Sequence, residues 1–308
     1  MFATILGALP RPALPPTADL DELVAAALEA QATAGLEPVT DGRLRWRTLD
    51  DAIEGGAGPT ALEAWRRAVP MATRAVKATL PGPYTLGRRA ASSDRARRTA
   101  TLEAAARVRD EARALAAAGC PFVEVLESEA AAIGADDVER GLFRDAHLAL
   151  TEGVAGTHLS LVLVGPSADQ AGIETILAAP YASLAVDLIE GPDAWRLVAR
   201  TPGDRGIIVG AMAAGEGVDD GLEILLFAAR YAASTGGRGP SRVGLAVVPG
   251  LEHLSWRRAL EKMRHLGEAA RLAALPPGPE LARQLDPRAI DARSSATGRI
   301  PSDRRRPR

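Results

Sequence analysis

The sequence predicts a single (β/α)8 barrel of the α/β class, and three observations carry that prediction. Eight short runs rich in Val, Ile and Leu are each followed by a helical stretch. The runs are apolar on both faces, as strands between a barrel interior and an outer ring of helices must be. The repeating part ends near residue 275, and about 270 residues is the ordinary size of one such barrel.

In order, the strand candidates are Phe2–Leu9, Glu37–Thr40, Ala75–Leu80, Phe122–Glu127, Thr157–Val164, Ser183–Ile189, Gly206–Ala211 and Arg242–Val248. The first runs into Gly7-Ala8-Leu9-Pro10-Arg11-Pro12, a proline-stiffened loop that continues neither strand nor helix. Asp19 suits the N-cap of a helix over Leu20–Ala34, which stops at Gly35. The second strand feeds Thr40–Trp46 and then Gly55-Gly56-Ala57-Gly58, a long connection expected to act as a lid or binding loop. The third ends at Leu80-Pro81-Gly82-Pro83-Tyr84, ahead of a long helix from Ser93 to Ala118. Further helices are expected over 135–152 and Trp256–Leu272. From residue 276 to 308 the pattern gives way to Pro, Gly, Ser and Arg, too polar to bury a face, and this tail is expected to be disordered.

Composition narrows the function classes. A formal charge of −2 gives no field for nucleic acid, and Cys120 alone allows neither a disulfide within the chain nor a multi-cysteine metal site. No segment reaches the roughly 20 apolar residues of a membrane span, and the N-terminus lacks a signal-peptide pattern, so the cytoplasm is the expected location. No phosphate-binding glycine fingerprint and no nucleophile elbow is present. The oligomeric state is not legible.

In a barrel the active site lies on the loops after the strands. Several candidates fall there. Glu127 and Glu129, at the end of the fourth strand, are read as an acid/base pair, with both carboxylates turned to one side by strand alternation. His158 on the fifth strand and His253 after the eighth suit proton transfer near neutral pH. Arg11, Arg43 and Arg45 on the first two loops suit a carboxylate or phosphate, which implies a small anionic substrate. Trp46 and Tyr84 are placed to stack on a planar ring. Arg43, Glu127 and His158 are expected to share one cavity.

The ordered set Ile5–Pro12, Gly35–Gly42, Leu80–Thr85, Ala118–Glu127, Val186–Pro192 and Gly250–Leu254 resembles the cobalamin-independent methionine synthase family along nearly the whole barrel. The resemblance implies methyl transfer to the thiol of homocysteine from a folate or corrinoid donor, with a zinc ion holding the thiolate. It also implies a His-x-Cys pair, a Glu and a second Cys as ligands. Here the pair reads His158-Leu159-Ser160, Glu190 is matched to the glutamate, and Val248-Pro249-Gly250 has no cysteine. Without thiolates no stoichiometric zinc is expected. The positions matched to the family's homocysteine grip hold Ala8, Arg43 and Leu126, so homocysteine is not the expected substrate. Three readings stay open: a methyl- or alkyl-transfer enzyme on a small anion, a metal-free lyase or decarboxylase run by Glu127, His158 and an arginine, and a non-catalytic binding or accessory protein.

Overall fold

The computed structural model describes residues 1–54, 58–215 and 221–285. Its centre is a curled, parallel seven-stranded sheet: β1 (Phe2–Ile5), β2 (Ala78–Pro81), β3 (Phe122–Glu127), β4 (His158–Leu163), β5 (Ser183–Asp187), β6 (Gly206–Ala213) and β7 (Val243–Val248). The strand order is β1-β7-β6-β5-β4-β3-β2, so the sheet runs continuously from β2 around to β1.

The expected second strand is reduced. Glu37–Thr40 forms one parallel bridge, Val39 to Val76, because Pro38 has no N–H to continue a ladder. The segment nevertheless bonds to both edges of the sheet. Glu37 N donates to Ala3 O at 2.9 Å, while Val39 N donates to Ala75 O and Lys77 N to Val39 O, each also at 2.9 Å. Residues 75–77, expected within the third strand, pair with this segment before β2 begins. The first strand stops at Ile5 rather than Leu9 because Gly7 turns the chain at φ 127°, where an added Cβ would lie 1.9 Å from Pro249 O.

Helices follow the expected positions closely. Leu20–Thr33 opens on a capping box between Asp19 and Glu22, and Asp94–Ala117, Asp137–Thr151 and Trp256–Ala273 bury their apolar stripes against the sheet. The expected tail begins later than residue 276: Pro279–Leu285 is helical, with Leu281 buried. Residues 286–308 lie outside the described residues, as does most of the Gly55–Gly58 lid expectation. No helix among the described residues is long and apolar enough to cross a membrane.

Strand parity divides the core. Leu6, Leu126, Val162, Ala185, Ile208, Ala246 and Val248 form one cluster on the concave face. Their sequence neighbours, including Val125, Leu161, Leu163, Val186 and Val247, pack outward in the larger cluster with the helices.

Candidate active site

Polar side chains of the concave face gather around β2 and β3. Lys77 Nζ donates to Glu124 Oε1 at 2.6 Å and to the Ile5 carbonyl at 2.7 Å, and Thr79 Oγ1 donates to Glu124 Oε2 at 3.0 Å. All three are buried. Desolvation is the main reason the Lys77 ammonium titrates below its ordinary range; Glu124 opposes that shift and the Arg43 charge adds to it.

Arg43 enters this region from the loop after Thr40, with its own backbone in the left-handed region at φ 57°. The turn is held by Asp41, whose Oδ1 accepts from Arg43 N at 2.9 Å. The Arg43 atoms Nε and Nη2 are buried and have no hydrogen-bond partner. Burial lowers its pKa, against the opposing charges of Glu124, Glu252 and Asp41. Asp41 is itself pushed up, first by desolvation, with its Arg43 and Arg45 contacts working the other way. Arg43, Asp41, Lys77, Thr79 and Trp46 line one small cavity beside helix Ala61–Ala68.

Most of the expected site residues lie elsewhere. Glu127 has the opposite parity to Glu124 and faces the helices. Its carboxylate accepts from Tyr84 N at 3.0 Å, Thr85 N at 2.7 Å, the Thr85 hydroxyl, and His147 Nε2 at 3.0 Å. It therefore caps helix Pro83–Ala90 and is fully buried, which removes it from the mouth. Glu129 lies past the end of β3, partly exposed, with its carboxylate 3.9 Å from Arg89. His158 begins β4, at the end of the strand opposite the mouth, where it bonds Ser183 Oγ at 2.8 Å and stacks on Phe122 at 4.5 Å. The expectation that Arg43, Glu127 and His158 share one cavity is corrected accordingly: only Arg43 reaches the polar cluster.

The remaining candidates disperse as well. Arg45 is buried against Asp21, and Arg11 is exposed, so the three arginines do not converge. Tyr84 is buried, with its hydroxyl on Glu139 and its ring edge-on to Phe143, so no ring can stack on it from the mouth. Trp46 is the exception, staying beside Arg43 in the cavity lining while its Nε1 donates to Pro59 O at 2.7 Å. Glu190 is exposed, and His253 Nε2 donates to Ala214 O at 3.1 Å.

Sequence reasoning missed Lys77, Glu124 and His147. Lys77 and Glu124 sit inside apolar runs, and a charged residue there is the available signal, since it is rarely buried unpaired. His147 left only its place in a helix. It accepts from Tyr181 OH at 2.6 Å through Nδ1 while donating to Glu127.

The residues do not fit the zinc that the family resemblance implies. His158 engages Ser183, Ser160 accepts from Ser183 at 2.8 Å, and Glu190 points to solvent beyond β5. Among the described residues no group of three or more His, Cys, Asp or Glu is placed to hold one ion.

No family model and no curated protein matches the chain. Solved structures do. A B12-independent methionine synthase from Shewanella sp. W3-18-1, in complex with selenomethionine, superposes with a TM-score of 0.74 at 16% identity, over 88% of this chain and 96% of that one. A methyltransferase from Methanosarcina mazei gives 0.63 at 15% identity, over 88% and 94%. At these identities the likeness establishes the fold, and the site must be argued from its own residues.

Proposed function

We propose that this barrel is an enzyme of the methyl- or alkyl-transfer lineage that acts on a small anionic substrate other than homocysteine. One observation carries the reading: a buried guanidinium on a loop after the strands has two donor nitrogens without partners. Leaving a buried charged donor unsatisfied costs about 1–3 kcal/mol or more, and a carboxylate or phosphate removes that cost with charge-assisted bonds.

Homocysteine is set aside because the positions that the resemblance matches to its grip hold Ala8, Arg43 and Leu126. We further propose a barrel closed by eight units, with Glu37–Thr40 as the eighth, since that segment bonds to both β1 and the approach to β2. Zinc has no step in this reading, because the matched positions supply no converging donor set.

The test is thermal unfolding titrated with acetate, short dicarboxylates and phosphate. The wild-type chain should gain stability with anion concentration as a single-site ligand requires, and Arg43→Met should abolish the gain. An equal gain in both proteins would remove Arg43 from the site.

A further inference from the structure

Helix Leu222–Ser234 follows β6 in the outer ring, and its inner side is already committed. Leu222, Leu225, Leu226, Ala229 and Ala232 are buried where the helix packs on β6, β7 and helix Trp256–Ala273. An outer-ring helix is expected to be polar on the side turned to water. This one is not: Ile224 and Phe227 are each 64% exposed, and its only charged residues are Glu223 and Arg230. Phe227 belongs to an aromatic group on the flank of the barrel, with Tyr231 6.1 Å away in the same helix and Trp195, from helix Trp195–Arg200, 5.1 Å from Tyr231. The sequence holds only four Trp, three Tyr and four Phe, and three of them stand on this patch. Exposed aromatic rings with few charges among them are the composition of an interface core.

The two charges say what covers it. At 3.6 residues per turn, Glu223 and Arg230 lie on one side of Phe227, while Ile224 and Tyr231 lie on the other. At 1.5 Å per residue, Glu223 stands about 6 Å before Phe227 along the axis and Arg230 about 4.5 Å after it. Reversing the helix about Phe227 therefore exchanges the places of Glu223 and Arg230 to within about 1.5 Å, and those of Ile224 and Tyr231 likewise. The face is complementary to itself in the antiparallel sense. A parallel two-fold would instead set both charges against the apolar Ile224 and Tyr231 row. Glu223 has no ion-pair partner among the described residues, and Arg230 is fixed beside the face by donating from Nη2 to the Leu275 carbonyl at 3.0 Å.

We infer that two copies of this chain pair through helix Leu222–Ser234, antiparallel about a two-fold axis at Phe227, with each Glu223 facing the partner's Arg230. Phe227 packs on its own copy, Ile224 meets the partner's Tyr231, and Trp195 closes one side. The helices of such a barrel run against its strands, so the antiparallel pair leaves both mouths open and pointing opposite ways. A helix of 13 residues is about 20 Å long, which puts the contact near or below the roughly 800 Å² per partner of a standard interface and makes the dimer a weak one.

The test is sedimentation equilibrium of the full chain. The wild-type chain should pass from monomer to dimer between about 1 and 100 μM, and Phe227→Glu should remain monomeric throughout. Glu223→Arg and Arg230→Glu should each associate at least about tenfold more weakly than wild type, because like charges then oppose each other twice across the axis. Their equimolar mixture should recover the wild-type association within about threefold, since the mixed pair restores both opposite-charge contacts. The mixture is made of the same two proteins that fail alone, so misfolding cannot imitate the recovery. A wild-type chain that is still monomeric at about 100 μM, a Phe227→Glu chain that dimerises as well as wild type, or a mixture no stronger than its components overturns the inference.

Discussion

Glu127→Gln separates a structural carboxylate from a catalytic one. In the wild-type chain four donors converge on two oxygens: Tyr84 N and His147 Nε2 on Oε1, and Thr85 N and the Thr85 hydroxyl on Oε2. A glutamine keeps one acceptor oxygen and turns an NH2 toward the other pair, so about two buried donors lose their partner. At roughly 1–3 kcal/mol each, less what rotation of the Thr85 hydroxyl recovers, the expected cost is about 2–5 kcal/mol. The consequence spreads beyond the pair, because Thr85 Oγ1 also accepts from Ser128 N at 3.0 Å and Glu129 N at 3.3 Å, holding the loop after β3. At roughly 2 °C per kcal/mol for a chain of this size, the midpoint should fall by about 4–10 °C. Denaturant unfolding read by far-ultraviolet circular dichroism gives the stability, and the anion-dependent shift gives the binding. Below the new midpoint, anion binding should be unchanged. A variant as stable as wild type that has lost anion binding or activity would refute the reasoning and return Glu127 to the mouth.

Other outcomes follow from the same geometry. Gly82→Ala should be more damaging than Glu127→Gln, since the added Cβ would lie 2.0 Å from the Glu127 Cδ; soluble yield and the unfolding midpoint report it. Arg43→Met should leave the anion-free midpoint equal or slightly raised, by up to about 1 kcal/mol, because it removes a buried charge without partners; calorimetry checks the sign. His158 is held below its ordinary pKa chiefly by burial, against the charge of Glu124. Its contribution to stability is therefore present above about pH 6.5 and lost as pH falls through the folded value, and His158→Phe should flatten that acid limb in a stability-against-pH series. Stoichiometric zinc should not raise the midpoint of the wild-type chain, and a rise abolished by His158→Phe or Glu190→Gln would reinstate a metal site.

What the sequence determined by itself was the alternation of elements. The two-faced apolar runs, the Asp19 cap and the helical stripes all follow from local chemistry, and the helices fall within a few residues of their expected ends, whereas the first strand stops at Ile5 because of a turn at Gly7 that the strand reading passed over. Arg43 was legible too, as a cation on a loop after a strand. The direction of each strand side chain was not. In a half-buried strand the apolar face marks the inside, but here both faces are apolar, so nothing in Phe122–Glu127 says whether Glu124 or Glu127 faces the concave side. Because side-chain direction has a period of two, an error of one residue moves a carboxylate from the concave face to the helix layer. His158 was already legible at the start of its strand, Thr157–Val164, the end away from the mouth; the structure adds its stacking on Phe122 and its bond to Ser183. Tertiary structure alone brought Lys77, Glu124 and Arg43 together, since the first two meet through the pairing of β2 with β3 and the third reaches them from a separate loop.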